Sequence, residues 1–219
     1  MARGGRGLAL FALLWLGLIG AVPLLRLLAE GVTGAHGPVL ADPAVWRAAW
    51  RSLAVALGAA LFALAAGGAL AWATLLRGGV PWGRGLLFLA ILPVLVPPQV
   101  MALGWIQAGG PSSPLLLALD LAPPIGTPNP VYGPVGMMLL LGVQGAPLVL
   151  LSIAATLRRV PGEALLAARG LGATPEAALR RVVWPLLLPA AAAGAALAYV
   201  AALGNFGVGA LIGIPARYT

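Results

Sequence analysis

Five stretches of the chain stay apolar for about twenty residues each: roughly Leu8–Leu28, Leu53–Leu75, Leu86–Ala108, Val135–Leu157 and Val183–Leu203. A helix of about twenty residues spans a hydrocarbon core about 30 Å thick, so each run is long enough for one crossing. Nothing else in the chain constrains its fold as strongly. Only 8% of the residues are charged and 61% are hydrophobic, whereas a water-exposed domain carries about 25% charged residues. The expected fold is all-α, a polytopic bundle of membrane helices.

Charge sets the expected threading. All thirteen basic residues are arginines, and cytoplasmic loops collect positive charge. With the N-terminus inside, Arg3, Arg6, Arg77, Arg84, Arg158, Arg159, Arg169, Arg180 and Arg181 face the cytoplasm, and only Arg26, Arg47, Arg51 and Arg217 lie outside or near the outer boundary. The first run exceeds the 7–15 apolar residues of an export-signal core and lacks a clear small-x-small cleavage site, so it reads as a retained helix. Residues 1–52 are expected to form an N-terminal helix and outer loop, and 53–219 a core domain within a bilayer. Trp46 and Trp50, four apart, predict a short interfacial helix within the first outer loop. The outer loops Ala29–Arg51 and Gly109–Pro134 are rich in Gly and Pro and should otherwise be irregular, with short helical turns at most.

The absence of lysine excludes a phosphate loop ending in Gly-Lys-Ser/Thr, so the chain is not expected to use ATP by itself. The net charge of +8 comes from scattered arginines that form no stripe for a nucleic-acid backbone. His36 stands alone and the chain has no cysteine, so no metal site or resident cofactor is expected. Asp42, before Pro43, reads as a turn or helix-start residue.

One cytoplasmic segment, 158–182, interrupts the apolar pattern. Pro161 ends one helix and can open another, predicted from about Gly162 to Leu171. Ala164, Ala167, Ala168 and Leu171 fall on one face of it, small and nearly flat. Gly172 is a natural stop, because it takes the left-handed conformation that closes a helix. Thr174 can cap a second helix, with Pro175 in its first position and Glu176 at its positive end. Arg180, Arg181 and the interfacial Trp184 lead back into the membrane. The spacing alone permits either a docking surface or a loop helix packed on the protein's own inner ends.

The stretch "VPGEALLAARGLGATPEAALRRVVWPLLLP" resembles the cytoplasmic EAA loop of type I, binding-protein-dependent ABC importer permeases. Val160, Pro161, Glu163, Ala167, Ala168, Arg169, Leu171, Gly172, Ala173, Pro175, Arg181 and Pro189 match that pattern, while Leu166 stands where the family usually has glutamate. The resemblance implies a permease of the type I fold in a bacterial-type inner membrane. Its coupling elbow would comprise Glu163, Ala164, Ala167, Ala168, Arg169, Leu171, Gly172 and Ala173, gripped by a cytoplasmic ABC ATPase dimer that uses the ATP. It also implies an extracytoplasmic substrate-binding protein and a second permease half, fused or separate. The stretch "LGNFGVGALIGIPARYT" is similar to permeases of the ferric-iron importer group, with polyamine and thiamine permeases as relatives. Ferric iron is therefore the first cargo expected, and another small solute the alternative. That family would have a sixth helix after Thr219, so the sequence is expected to be an N-terminal portion.

Polar residues within the runs are candidates for a substrate path or for hydrogen bonds between helices. They are Gln99, Gln107, Gln144, Tyr199 and Asn205, of which Gln99, Gln144 and Asn205 are the pathway candidates. Pro93, Pro97 and Pro98 break backbone hydrogen bonds within the third run, so that stretch should face protein or a water-filled cavity. Pro147, near Gln144, makes a similar case in the fourth. Gly58, Gly67, Gly68 and Gly194 read as close helix contacts. A polytopic membrane enzyme would need a convergent catalytic set, and no carboxylate lies within a run. A non-catalytic scaffold fits the composition equally and is set aside only by the loop motif.

Overall fold

The computed structural model describes residues 11, 14–15, 17–34, 41–76, 83–160 and 162–218, which contain helices and turns and no strand. Arg3, Arg6, His36, Arg77, Pro161 and Thr219 lie outside the described residues. The chain divides into two compact units, Met1–Arg47 and Ala48–Thr219. In the first, a wide π-type turn, Gly17–Ala21, leads into α1, Val22–Thr33. The helical stretch therefore continues five residues beyond Leu28, where the apolar run was expected to stop.

α2, Pro43–Ala71, opens on a cap: the Ala44 amide donates to the Asp42 carboxylate at 2.8 Å. With a following π-type turn it extends to Leu75, 33 residues in all, or about 50 Å at the α-helical rise and thus longer than the hydrocarbon core. Trp46 and Trp50, 63% and 72% exposed, occupy its first turns. The separate interfacial helix expected there does not exist, because no breaker separates Pro43 from the apolar run.

Among the described residues, two further helices are long and apolar enough to cross a membrane: Pro134–Leu157 and Pro175–Leu203. The third run departs from expectation. It is not one span over Leu86–Ala108 but two helices, α3 (Gly83–Leu95) and α4 (Pro98–Gly109), and the segments Gly85–Leu95 and Pro98–Ala118 are bent by 107° at the break between them. Pro97 and Pro98 supply two consecutive residues without an N–H, so the helical ladder cannot continue through them. A short α5, Pro114–Ala118, follows, with the Leu116 amide donating to the Ser113 hydroxyl.

The second unit is built around α6, Pro134–Leu157, which continues unbroken through the buried Pro147. Its positions 137, 141, 145, 149 and 153 form a buried stripe. Facing it are small residues: Ala56, Ala59, Ala63, Gly67 and Ala71 on α2, and Ala191, Gly194, Ala198 and Ala202 on α9, the helix Trp184–Leu203. Lipid tails are as apolar as leucine, so close packing must substitute for the hydrophobic drive. The approach is close enough that a Cβ on Gly194 would stand 2.6 Å from the Val149 Cα, and one on Gly67 would overlap the Ala146 carbonyl. Gly58 likewise faces Met138. Gly68 does not fit the expectation: nothing lies within 4 Å of its would-be Cβ.

Candidate functional site

The segment between α6 and α9 folds as an elbow. Its first arm is α7, Gly162–Gly170, with Glu163 in the first turn and Arg169 in the last, the signs that suit the helix dipole. Gly172 then turns left-handed at φ +84°. Its amide donates to the Arg169 carbonyl, and the Ala173 amide reaches back to the Ala168 carbonyl, both at 3.0 Å. These two bonds form a Schellman closure, which satisfies carbonyls that the helix end leaves open. Thr174 caps the second arm, α8 (Pro175–Ala178), by accepting from the Ala177 amide at 3.2 Å. A π-type turn, Leu179–Val183, carries the exposed Arg180 and Arg181 into α9, where the Trp184 ring meets Trp72 edge-on at 5.6 Å.

α7 packs against α8 and the Leu179–Val183 turn, and much of its surface stays open. Glu163, Ala167, Arg169 and Gly172 are exposed, Ala168 and Ala173 are half-buried, and Ala164 lies within α7 by its backbone. Leu166 and Leu171 expose 69% and 90% of their surface. Two leucines thus lie uncovered beside small alanines on this charged elbow. The eight residues of the expected coupling set all lie on α7 and the turn that closes it.

A cavity of about 310 Å³ lies at the opposite end of the bundle, where α2 and α6 begin and α9 ends. Arg51, Ser52, Asn205 and Tyr218 bring polar atoms to walls that include Val55, Met137, Phe206 and Ile214. The Arg51 guanidinium sits 4.8 Å above the Tyr218 ring, within cation–π range. Asn205 accepts from the Val208 amide at 3.1 Å and so opens α10, the single turn Phe206–Val208. Gln99 lies over Gly207, where a Cβ would overlap its side chain. Asn205 and Gln99 thus converge on the turn that follows α9.

Gln144 does not join them. Its amide is engaged elsewhere, donating to the Val96 carbonyl at 2.9 Å and the Pro93 carbonyl at 3.4 Å. Gln107 is exposed in the last turn of α4, and Tyr199 packs against the core near Met137. The cavity also uses residues that sequence reasoning passed over. Arg51, which the sequence marks only as a topology charge, lies within α2 and lines the cavity. Asn129 fastens the outer loop, donating to the Ile106 carbonyl at 2.8 Å and accepting from the Val131 amide. Its Asn-Pro pair signalled a turn and nothing about that reach.

Comparison with known proteins agrees with this architecture. Residues 60–217 match the family described as binding-protein-dependent transport system inner membrane component. Over 105 residues the chain is 34% identical to the inner membrane ABC transporter permease protein YdcU of Escherichia coli (strain K12), an alignment covering 48% of this chain and 34% of that protein. The chain thus spans about a third of the length of the curated relative it matches. Neither comparison confirms the narrower ferric-iron group. Among the described residues three helices, α6 one of them, are apolar and long enough to cross a membrane, or four if the bent pair is one span; with the elbow between the last two and a family match over most of the length, this multi-pass membrane chain belongs to the family of binding-protein-dependent transport system inner membrane components.

Proposed function

We propose that the chain is the membrane subunit of an ATP-driven importer and that its elbow, Gly162–Val183, is the part a separate cytoplasmic ATPase dimer holds. The observation that carries this reading is the exposure of Leu171, Leu166 and Ala167 on an elbow whose bend is closed by its own Schellman bonds and threonine cap. A rigid bend with an uncovered apolar face transmits a push, whereas a loosely held one would absorb it. Glu163, Ala164, Ala168, Arg169, Gly172 and Ala173 belong to the same coupling surface.

The arginine distribution supports an N-terminus and elbow on the cytoplasmic side. Solute would then arrive from an extracytoplasmic binding protein at the end that carries the cavity. Asn205 and Gln99 contribute to its path, and Gln144 acts on that path through the bend it holds. A second permease half completes the passage. Alternation between outward and inward states is an equilibrium that partners bias by preferring one state, so the chain needs no catalytic group of its own. Ferric iron is the first cargo to assay, a reading supported by the resemblance of Leu203–Thr219, with a polyamine or thiamine as the other outcomes of the same uptake assay.

The chain lacks cysteine, so single thiols report cleanly on contacts. In the assembled importer, Ala167→Cys and Leu171→Cys should cross-link to the ATPase through a short bifunctional reagent, and Leu121→Cys in the outer loop should not. An elbow that captures no partner, in a complex that still hydrolyses ATP on solute delivery, overturns the assignment.

A further inference from the structure

The bend between α3 and α4 leaves backbone acceptors without helical partners, the Pro93 and Val96 carbonyls among them. In a continuous helix the carbonyl of residue i accepts from the amide of i+4. For Pro93 that amide would belong to Pro97, which has no N–H. The Val96 carbonyl loses its partner because the chain turns at Pro97, with φ −54° and ψ 137°, before α4 begins. Lipid supplies no donor to either group. A glutamine amide nitrogen carries two hydrogens, and the Gln144 Nε2 stands 2.9 Å from one of these carbonyls and 3.4 Å from the other. Gln144 lies ten residues into α6, about 15 Å along it and near its midpoint, so the corner is held at mid-helix by a residue 48 to 51 positions away.

The two halves that meet there have different neighbours. α3 packs on α6, while α4 adds α10 and the following Gly209–Gly213 turn to its contact with α6. Gln99, in the first turn of α4, is the residue pressed on Gly207. The setting of the corner therefore decides how α4 meets the segment after α9.

We propose that Gln144 is the positioning residue of this corner: by holding the Pro93 and Val96 carbonyls it fixes α4, and with it Gln99, against Gly207. The consequence for solute passage rests on the permease reading above, and the geometric part does not. Loss of both donors lets the corner shift, and the contact between positions 99 and 207 loosens first.

The test is disulfide formation between Gln99→Cys and Gly207→Cys in the otherwise cysteine-free full chain, oxidised in membranes with copper–phenanthroline. With Gln144 present the pair should close rapidly. Gln144→Met, similar in length and without donors, should slow closure about fivefold or more, since it loses the 2.9 Å bond and the longer 3.4 Å one together. Gln144→Asn, one methylene shorter, should fall between the two and keeps the test open should the methionine variant not fold. The pair Gly58→Cys and Met138→Cys, at the α2–α6 contact, should close at the same rate in all three backgrounds. Unchanged closure at 99 and 207 in a folded Gln144→Met or Gln144→Asn chain overturns the proposal, as does equal slowing at the control pair. The transport consequence is read separately: Gln144→Met alone, in the assembled importer, should lower uptake about tenfold while nucleotide hydrolysis changes little. Slowed closure with normal uptake would leave the corner in place and sink its role in passage.

Discussion

The elbow and the corner are both bends in a helical chain, and they are held in opposite ways. At the elbow every stabilising bond is local: Gly172 to Arg169, Ala173 to Ala168, Ala177 to Thr174. At the corner the local ladder fails, and a side chain from another helix supplies what is missing. The contrast follows from the surroundings. An exposed bend can use water as well as its neighbours, whereas a bend inside a bundle of apolar helices finds donors only on adjacent helices. A locally closed bend is stiff and moves as a unit. A bend closed from a distance takes its angle from whichever helix provides the partner.

The largest effect should come from disturbing the helix that provides it. On Gly194 a side chain would meet the Val149 Cα and the Leu148 carbonyl, at 2.6 and 3.0 Å. Backbone cannot yield as a side-chain tip can, so Gly194→Val should destabilise the α6–α9 packing by about 3 kcal/mol, toward the upper range for overpacking. The measurement is the fraction of monodisperse protein recovered after detergent extraction and mild heating. Gly68→Val, with open space around it, should behave as the parent. If both variants are recovered alike, α6 is not the rigid reference against which the corner is set.

A smaller and more selective effect is expected at the elbow. Gly172→Pro cannot take φ +84°, since the ring holds φ near −65°, and it deletes the amide that binds Arg169. Because the site is exposed and nothing surrounds it, the membrane bundle should melt as before, while uptake by the assembled importer falls about tenfold or more. Gly172→Asn, which tolerates the left-handed conformation, should keep most of the activity. A proline variant that transports normally would show that the elbow's stiffness is irrelevant, leaving the comparison between the bends without functional content.

Local chemistry made the elbow legible in the sequence. The glycine stop, the threonine cap and the proline start each act within five residues, and the helix ends at Gly170, one residue short of expectation. The long spans around α6 were legible for a related reason, since continuous apolarity is itself a local signal. The broken third run was half legible: Pro93, Pro97 and Pro98 announced lost hydrogen bonds, but hydropathy ran through them and suggested one span. Nothing near Gln144 indicated which carbonyls it would meet, because that pairing depends on how α3 packs on α6. Trp46 and Trp50 misled in the other direction. Their spacing correctly said helix, and only the absence of a break after Ser52 could have said that it was the same helix as the span.

The smallest expected effect tests how local the elbow is. Thr174→Ala removes the hydroxyl that accepts from the Ala177 amide at 3.2 Å and leaves the backbone free to keep its course. A lost cap costs about 1 kcal/mol, here spread over a four-residue helix that continues directly into the Leu179–Val183 turn and α9. Hydrogen exchange should quicken at Ala177 and Ala178, while the amides of Gly172 and Ala173, closed by α7's own carbonyls, should keep their protection. Thr174→Ser should restore the slower exchange. Faster exchange across both arms would mean that α7 and α8 open together, and the elbow would then be one cooperative unit rather than two separately capped helices joined by a glycine.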